Sequence, residues 1–270
     1  MRIALAQFTA RPGDVRGNLA RMRALLADAA RDRPDLVCFP ELSLPGYLLD
    51  PARYTGAFVA GCAAAAEELE QAARGLRVRI AYGTAERHGG ALRNLIVITE
   101  PGRPGAAGRT VYAKTHMVRA ERAVFTPGTD LVLTEDGRLA LGCCYDLAFP
   151  GVCARLAEAG ARALIFPMAW EKQRAFVFEG VVAARAIENV AYVVCANQAG
   201  TMGLTRFHGG SRIIDPLGRT RLAMGDTAGV AAADLNLDWV SRLRSSADTA
   251  TYPLLDDRQP PMPVRRGSIR

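Results

Sequence analysis

The chain has 270 residues, half of them apolar and 23% charged, a balance that excludes a disordered chain and fits a globular one. Its length allows one large domain or two small ones, with a substantial core in either case. The formal net charge of +7 comes from arginines interleaved with acids rather than from a basic block with aromatics, so no nucleic-acid partner is expected.

No apolar run approaches the roughly 20 residues that span a bilayer, so no membrane partner is expected. The opening "MRIALAQFTARPGD" lacks the long apolar stretch and small-residue cleavage site of a secretory signal, which predicts a cytoplasmic protein. Six cysteines, at 38, 62, 143, 144, 153 and 195, form no C-x-x-C pair. The histidines at 88, 116 and 208 show no ligand spacing, so neither a disulfide framework nor a metal site is expected.

In chain order, "RIALAQF" (2–8) reads as a strand and residues 14–32 as an amphipathic helix with Asp14 as N-cap. "LVCF" (36–39) is a short buried strand ending in Pro-Glu, and 56–76 is a second helix rich in Ala and Glu. Strands follow at 78–86, 92–100 and 108–114, divided by Gly and Pro turns. Residues 114–130 form a long loop of the kind that usually carries function. Strands are then predicted at "DLVLTE" and "RLALGCC", a helix near 152–160, a strand at 163–167, a helix over 172–189 and a buried strand at 191–197. "SRIIDPLGRTRLAM" reads as two turn-linked strands with "GVAAADL" after them. Strand pairs joined by tight turns, intermixed with helices, predict an α/β chain with mixed sheets and helices packed outside. One domain over 1–245 is expected, with 246–270 as a polar, Pro-rich tail.

Of 34 basic residues only Lys114 and Lys172 are lysines. Lys172 carries no argument, but Lys114 supplies a compact, deprotonatable ammonium that arginine cannot. Three reactive groups lie at ends of predicted buried strands: Glu41 in "VCFPELSLPGY", Lys114 in "VYAKTHMV", and one of the adjacent thiols Cys143 and Cys144 in "GCCYDLAFP". A carboxylate base, a cation and a thiol together suffice to cleave an amide-type bond with no histidine and no metal. If both thiols lie on a strand they face opposite ways, one toward a site and one into packing. The residues alone leave open which does which.

The ordered pieces "FPELSLPGY", "YAKTHM", "ERAVFTPG", "GCCYDLAFP", "RAIENVAYVVCANQAG" and "GGSRIIDPLG" resemble the nitrilase superfamily of carbon–nitrogen hydrolases, over about residues 2 to 235. The resemblance implies a four-layer α-β-β-α sandwich and a Glu-Lys-Cys triad. On it, Glu41 matches the general base and Lys114 opens the Lys-x-His stretch. Cys144, immediately before the aromatic–acid pair Tyr145-Asp146, matches the nucleophile. Glu121 matches a second glutamate that helps position substrate, and Tyr145 and Trp170 are expected to bind substrate, with Tyr47 nearby. The implied activity is a cysteine-dependent amidase that converts a small carboxamide to acid and ammonia, with no cofactor. N-carbamoyl hydrolysis is the alternative, nitrile hydrolysis the third reading, and a non-catalytic relative the last. The partner expected is a small amide or carbamoyl substrate, and the resemblance adds a homodimer or higher homo-oligomer with 246–270 as an arm. One departure stands out: the family's Phe-Pro-Glu after the cysteine element is Phe149-Pro150-Gly151 here.

Overall fold

The computed structural model describes residues 1–245, so the expected tail over 246–270 lies outside the described residues. The first half of the chain begins with strand β1 (Arg2–Gln7), helix α1 (Val15–Ala29) and β2 (Leu36–Cys38). Helix α2 (Gly56–Gly75) and strands β3 (Arg79–His88), β4 (Ala91–Thr99) and β5 (Arg109–Ala113) follow. The second half runs β6 (Val132–Leu133), β7 (Leu139–Leu141), α3 (Pro150–Glu158), β8 (Ala163–Met168), α4 (Ala175–Asn189) and β9 (Tyr192–Asn197). A small hairpin, β10 (Thr201–Met202) and β11 (Thr205–Arg206), precedes β12 (Arg212–Ile214), β13 (Thr220–Ala223), β14 (Gly229–Asp234) and α5 (Leu237–Ser245).

Helix starts follow local chemistry. The Asp14 carboxylate caps α1 by accepting the Gly17 N–H at 2.9 Å, and the Thr55 hydroxyl caps α2 through Phe58 N–H at 3.2 Å. The strands form two six-stranded sheets, ordered β14-β1-β2-β3-β4-β5 and β13-β12-β9-β8-β7-β6. Each has a parallel core of three strands, β1-β2-β3 and β7-β8-β9, extended by antiparallel neighbours.

Alternation along the strands builds the layers. On β1, Ala4 and Ala6 pack with Leu19, Met22 and Leu26 of α1 and Leu69 of α2. Ile3 and Leu5 face the other way, joining Leu139, Leu141, Ile165 and Val194 of the second sheet. Helices α3 and α4 cover that sheet through Leu156, Phe178 and Val182. The result is helices, sheet, sheet, helices, the four-layer α-β-β-α sandwich that the resemblance implied.

The last turns of β1 and β9 meet in a parallel bridge, Phe8 to Gln198, so the two parallel triplets run the same way and end at the same side of the molecule. β5 is antiparallel to β4, which is antiparallel to β3, so it too ends there. Glu41 follows β2, Lys114 follows β5, Cys144 follows β7 and Trp170 follows β8.

The structure departs from the sequence reading in detail. β7 stops at Leu141, and Cys144–Ala148 form a 3-10 turn, so Cys144 does not lie on a strand. The apolar run looks strand-like, but the chain leaves the ladder at Gly142, where a β-carbon would sit 2.2 Å from the Phe166 ring. The hairpin over 201–206 and helix α5 were not anticipated.

Gly83 of β3 has a more direct role. A β-carbon there would lie 2.1 Å from the Leu42 nitrogen, so the backbone after Glu41 crosses β3 with no room for a side chain. The Ser43 hydroxyl accepts the Gly83 N–H and Leu44 N–H donates to Gly83 O, each at 3.2 Å. Gly83→Ala is therefore expected to destabilise the fold by about 3 kcal/mol or more. Thermal denaturation checks the first effect. A fall in turnover of the surviving folded enzyme checks the second, displacement of the Glu41 loop.

Candidate active site

Lys114 brings the site together. Its Nζ lies 2.7 Å from Glu41 Oε1 and 2.7 Å from Glu121 Oε1, and all three side chains are buried. Three charges in such surroundings persist only if their remaining polar atoms find partners. Asn94 Nδ2 donates to Glu41 Oε1 at 2.7 Å. Tyr47 OH donates to Glu121 Oε1 at 3.0 Å, and Val118 N–H donates to Oε2 at 3.1 Å. Glu41 Oε2 accepts from no nitrogen or oxygen among the described residues.

The backbone holds Glu41 from the second sheet as well. Gln198 Nε2 donates to Glu41 O at 3.1 Å, and Glu41 N–H donates to Met168 O at 3.4 Å. Leu42, directly after the glutamate, adopts φ of 47°. Left-handed backbone at a non-glycine residue costs free energy and persists where surrounding contacts over-determine it.

The charges follow from these contacts. Burial raises the Glu41 pKa, but the Lys114 charge and the hydrogen bonds from Lys114 and Asn94 outweigh it and hold the group below the usual carboxylate range. Burial lowers the Lys114 pKa, yet Glu41, with other neighbouring groups, keeps it well above normal. Glu121 goes the other way: burial and then the Glu41 charge push it up to about 7 against the pull of Lys114 and Tyr47.

Cys144 and Lys114 line one cavity of about 340 Å³ with Tyr47, Val118, Tyr145, Ala148, Trp170, Glu171, Arg174 and Val177. The volume and its largely apolar wall suit a small organic molecule. Trp170 is fixed on three sides: its N–H donates to Asn197 Oδ1 at 2.8 Å, its Nε1 donates to Arg174 O at 2.8 Å, and its ring packs on Phe178. Tyr145 sits edge-on to Phe149, and Tyr47 edge-on to Phe207. Glu121 is not part of this wall but bonds to three residues that are, Lys114, Tyr47 and Val118.

The two thiols separate by access. Cys144 adopts φ of 44° at the start of its turn and keeps 8% exposure in the cavity wall. Cys143 is fully buried, accepts the Asp146 N–H at its sulfur, and lies beside the Glu41 carboxylate. It does not pack on a face remote from the site, as strand alternation had suggested, because a turn and not a strand separates the pair. Both thiols are pushed well above their ordinary pKa, first by burial and then by the Glu41 charge. Acidity therefore does not distinguish them.

Asn94 and Asp146 were not anticipated as contributors. Asn94 precedes the apolar run 95–98 in β4, and a buried asparagine there is the signal that could have found it. Arg185 on α4 supports the end of the turn that starts at Cys144, its Nε donating to Leu147 O at 3.0 Å and its Nη2 to Ala148 O at 3.3 Å. Gly151 offers this guanidinium no carboxylate, and Glu188 takes it instead at 2.9 Å.

Comparison with known proteins gives the family. The family model described as carbon-nitrogen hydrolase matches residues 2–245. An (R)-stereoselective amidase of Pseudomonas sp is 34% identical, with 92% of this chain and 89% of that one covered. A probable nitrilase of Schizosaccharomyces pombe is 32% identical, covering 96% and 95%. Among solved structures, a mutant of the amidase from Nesterenkonia sp. AN1 carries the acetamide moiety of fluoroacetamide covalently added at its active-site cysteine. It superposes with a TM-score of 0.82 at 27% identity, covering 96% of this chain and 94% of that one. Another mutant of the same amidase, in complex with butyramide, gives a TM-score of 0.79 at 28% identity, covering 89% and 93%. This chain belongs to the carbon–nitrogen hydrolases of the nitrilase superfamily.

Proposed function

We propose that this protein is a cysteine amidase that converts a small carboxamide to the carboxylic acid and ammonia through a thioester on Cys144. The observation that carries the reading is the buried Lys114–Glu41 pair at 2.7 Å, lying beside the cavity whose wall Cys144 and Lys114 share. The amidases among the similar chains support the amide over the carbamoyl and nitrile alternatives.

The charge states define the order of events. In the free site Glu41 is a carboxylate, Lys114 an ammonium and Cys144 a thiol. The thiol proton therefore moves to Glu41 as sulfur attacks the carbonyl carbon, rather than beforehand. The carbonyl oxygen gains the negative charge, and the Lys114 ammonium with the Tyr145 backbone N–H stabilises it. Glu41 returns its proton to the amide nitrogen, the C–N bond breaks, and ammonia leaves a thioester. Glu41 then takes a proton from water as the oxygen attacks that thioester. Collapse breaks the C–S bond, and the proton passes from Glu41 back to sulfur. One water is consumed and no cofactor takes part.

The cavity supports a compact acyl group. Trp170, Val118, Val177 and Ala148 supply the apolar surface, and Tyr145 contributes both its ring and its N–H. Glu121 acts from behind, holding Lys114 toward the cavity and Tyr47 in its wall. Six free, buried cysteines support a reducing, cytoplasmic setting. Phe176 on α4, 74% exposed, supports association of the outer helices in a homodimer.

Cys144→Ala should abolish ammonia release from carboxamides, whereas Cys143→Ala should retain turnover and still give an acyl adduct by mass spectrometry. Full activity in Cys144→Ala would sink the reading. Glu41→Gln should lower kcat/KM by about 10²–10⁴-fold, measured on the same substrates. Glu121 has a folded pKa above its unfolded one, so its stabilising contribution is complete only below the ordinary value of 4.5 and is lost as pH rises from there through about 7. The melting temperature should fall across that interval in the wild type, and this component should be missing in Glu121→Gln.

A further inference from the structure

Lys114 and Cys144 come from different sheets, one after β5 and the other after β7. Between them lies Asp146, a carboxylate with no exposed surface. Its Oδ2 accepts the Tyr112 hydroxyl at 2.7 Å and the Cys143 N–H at 3.0 Å. Its Oδ1 accepts the Thr115 hydroxyl at 2.9 Å and the His116 N–H at 2.8 Å, and meets His116 Nδ1 at 3.0 Å. Cys143 belongs to the nucleophile turn. Tyr112, Thr115 and His116 bracket Lys114 on both sides along the chain.

A carboxylate is the only side-chain group of this size that accepts on every lone pair and donates on none. Five contacts saturate those lone pairs, so both loops are fixed against one rigid group. The stack of the His116 ring on Phe149, 3.9 Å between centroids, holds the loop after Lys114 against the residue that ends the nucleophile turn.

We propose that Asp146 is a positioning residue: by clamping loops from the two sheets at one buried carboxylate, it sets the Cys144 sulfur against the Lys114 ammonium. The proposal rests on the amidase reading above. Attack on a bound carbonyl demands near-contact geometry, and a shift of about 1 Å between reacting groups costs about 100-fold in rate. Asp146 touches neither the cavity nor the substrate, so its loss should act on the chemical step rather than on binding.

The test measures kcat, KM and melting temperature for Asp146→Asn and for the double variant Tyr112→Phe with Thr115→Val, on butyramide. Asparagine keeps the shape but turns an NH₂ toward groups that are themselves donors. A folded Asp146→Asn should lose about 100-fold in kcat with KM changed less than about threefold. The double variant keeps Asp146 and the cavity but removes two donors, and should lose about tenfold in the same parameter. Should Asp146→Asn fail to fold, the double variant decides alone. Turnover within about threefold of wild type in a folded variant overturns the clamp, and so does a rise in KM at unchanged kcat. Cys144→Ala is run alongside: if it stays active the amidase reading has failed, whereas if it is dead and the clamp variants are active, only the clamp has failed.

Discussion

The buried ammonium of Lys114, shared by two carboxylates, is the constraint around which this site is built. Taking three ionised groups out of water costs several kcal/mol each, and their attraction repays that only where each remaining lone pair and proton is met. The loops after β2 and β5 can be read as the answer to that demand. The chain after Lys114 turns back so that Glu121, seven residues on, reaches the same Nζ, and Gly128 N–H closes the loop on Lys114 O at 2.8 Å. Asn94, Tyr47 and the Val118 N–H supply the other partners. The long loop that the sequence marked as one that carries function is thereby bound at its start, middle and end.

Within this frame the adjacent thiols illustrate how position outweighs intrinsic acidity. Cys143 and Cys144 feel the same burial and the same glutamate. What separates them is a backbone that turns left-handed at residue 144, presenting one sulfur to the cavity and leaving its neighbour enclosed. The strain of that conformation is sustained by the surrounding hydrogen bonds, as is common where a nucleophile must stand clear of its own chain.

Much of this was legible in the amino-acid order. Glu41 and Lys114 sit at the ends of apolar runs, and Lys114 is one of only two lysines in an arginine-rich chain. The mixed sheets could be read from tight turns between strands, whereas the four layers were implied by the family resemblance. The turn at Cys144 could not, because "LALGCC" has the hydrophobicity of a strand and its departure depends on Phe166 from another strand closing over Gly142. Asn94 and Asp146 were equally hidden. Asn94 takes its meaning from an acceptor, Glu41, 53 residues away, and Asp146 from donors about 30 residues before it. Hairpin β10–β11 is too short to show a period, whereas helix α5 carries an amphipathic pattern, with Leu237 and Val240 buried, that the sequence reading passed over.

The shared direction of the two parallel triplets divides labour within the molecule. The ionic trio comes from the loops after β2 and β5 of the first sheet, while Trp170, Glu171 and Arg174 belong to one connection of the second, between β8 and α4, with Val177 in the first turn of α4. Changes of length or sequence in that single connection remodel the room available to an acyl group without disturbing the ionic trio. Descendants of such a chain can thus explore new substrates by editing one short passage, with the bond-breaking apparatus inherited intact.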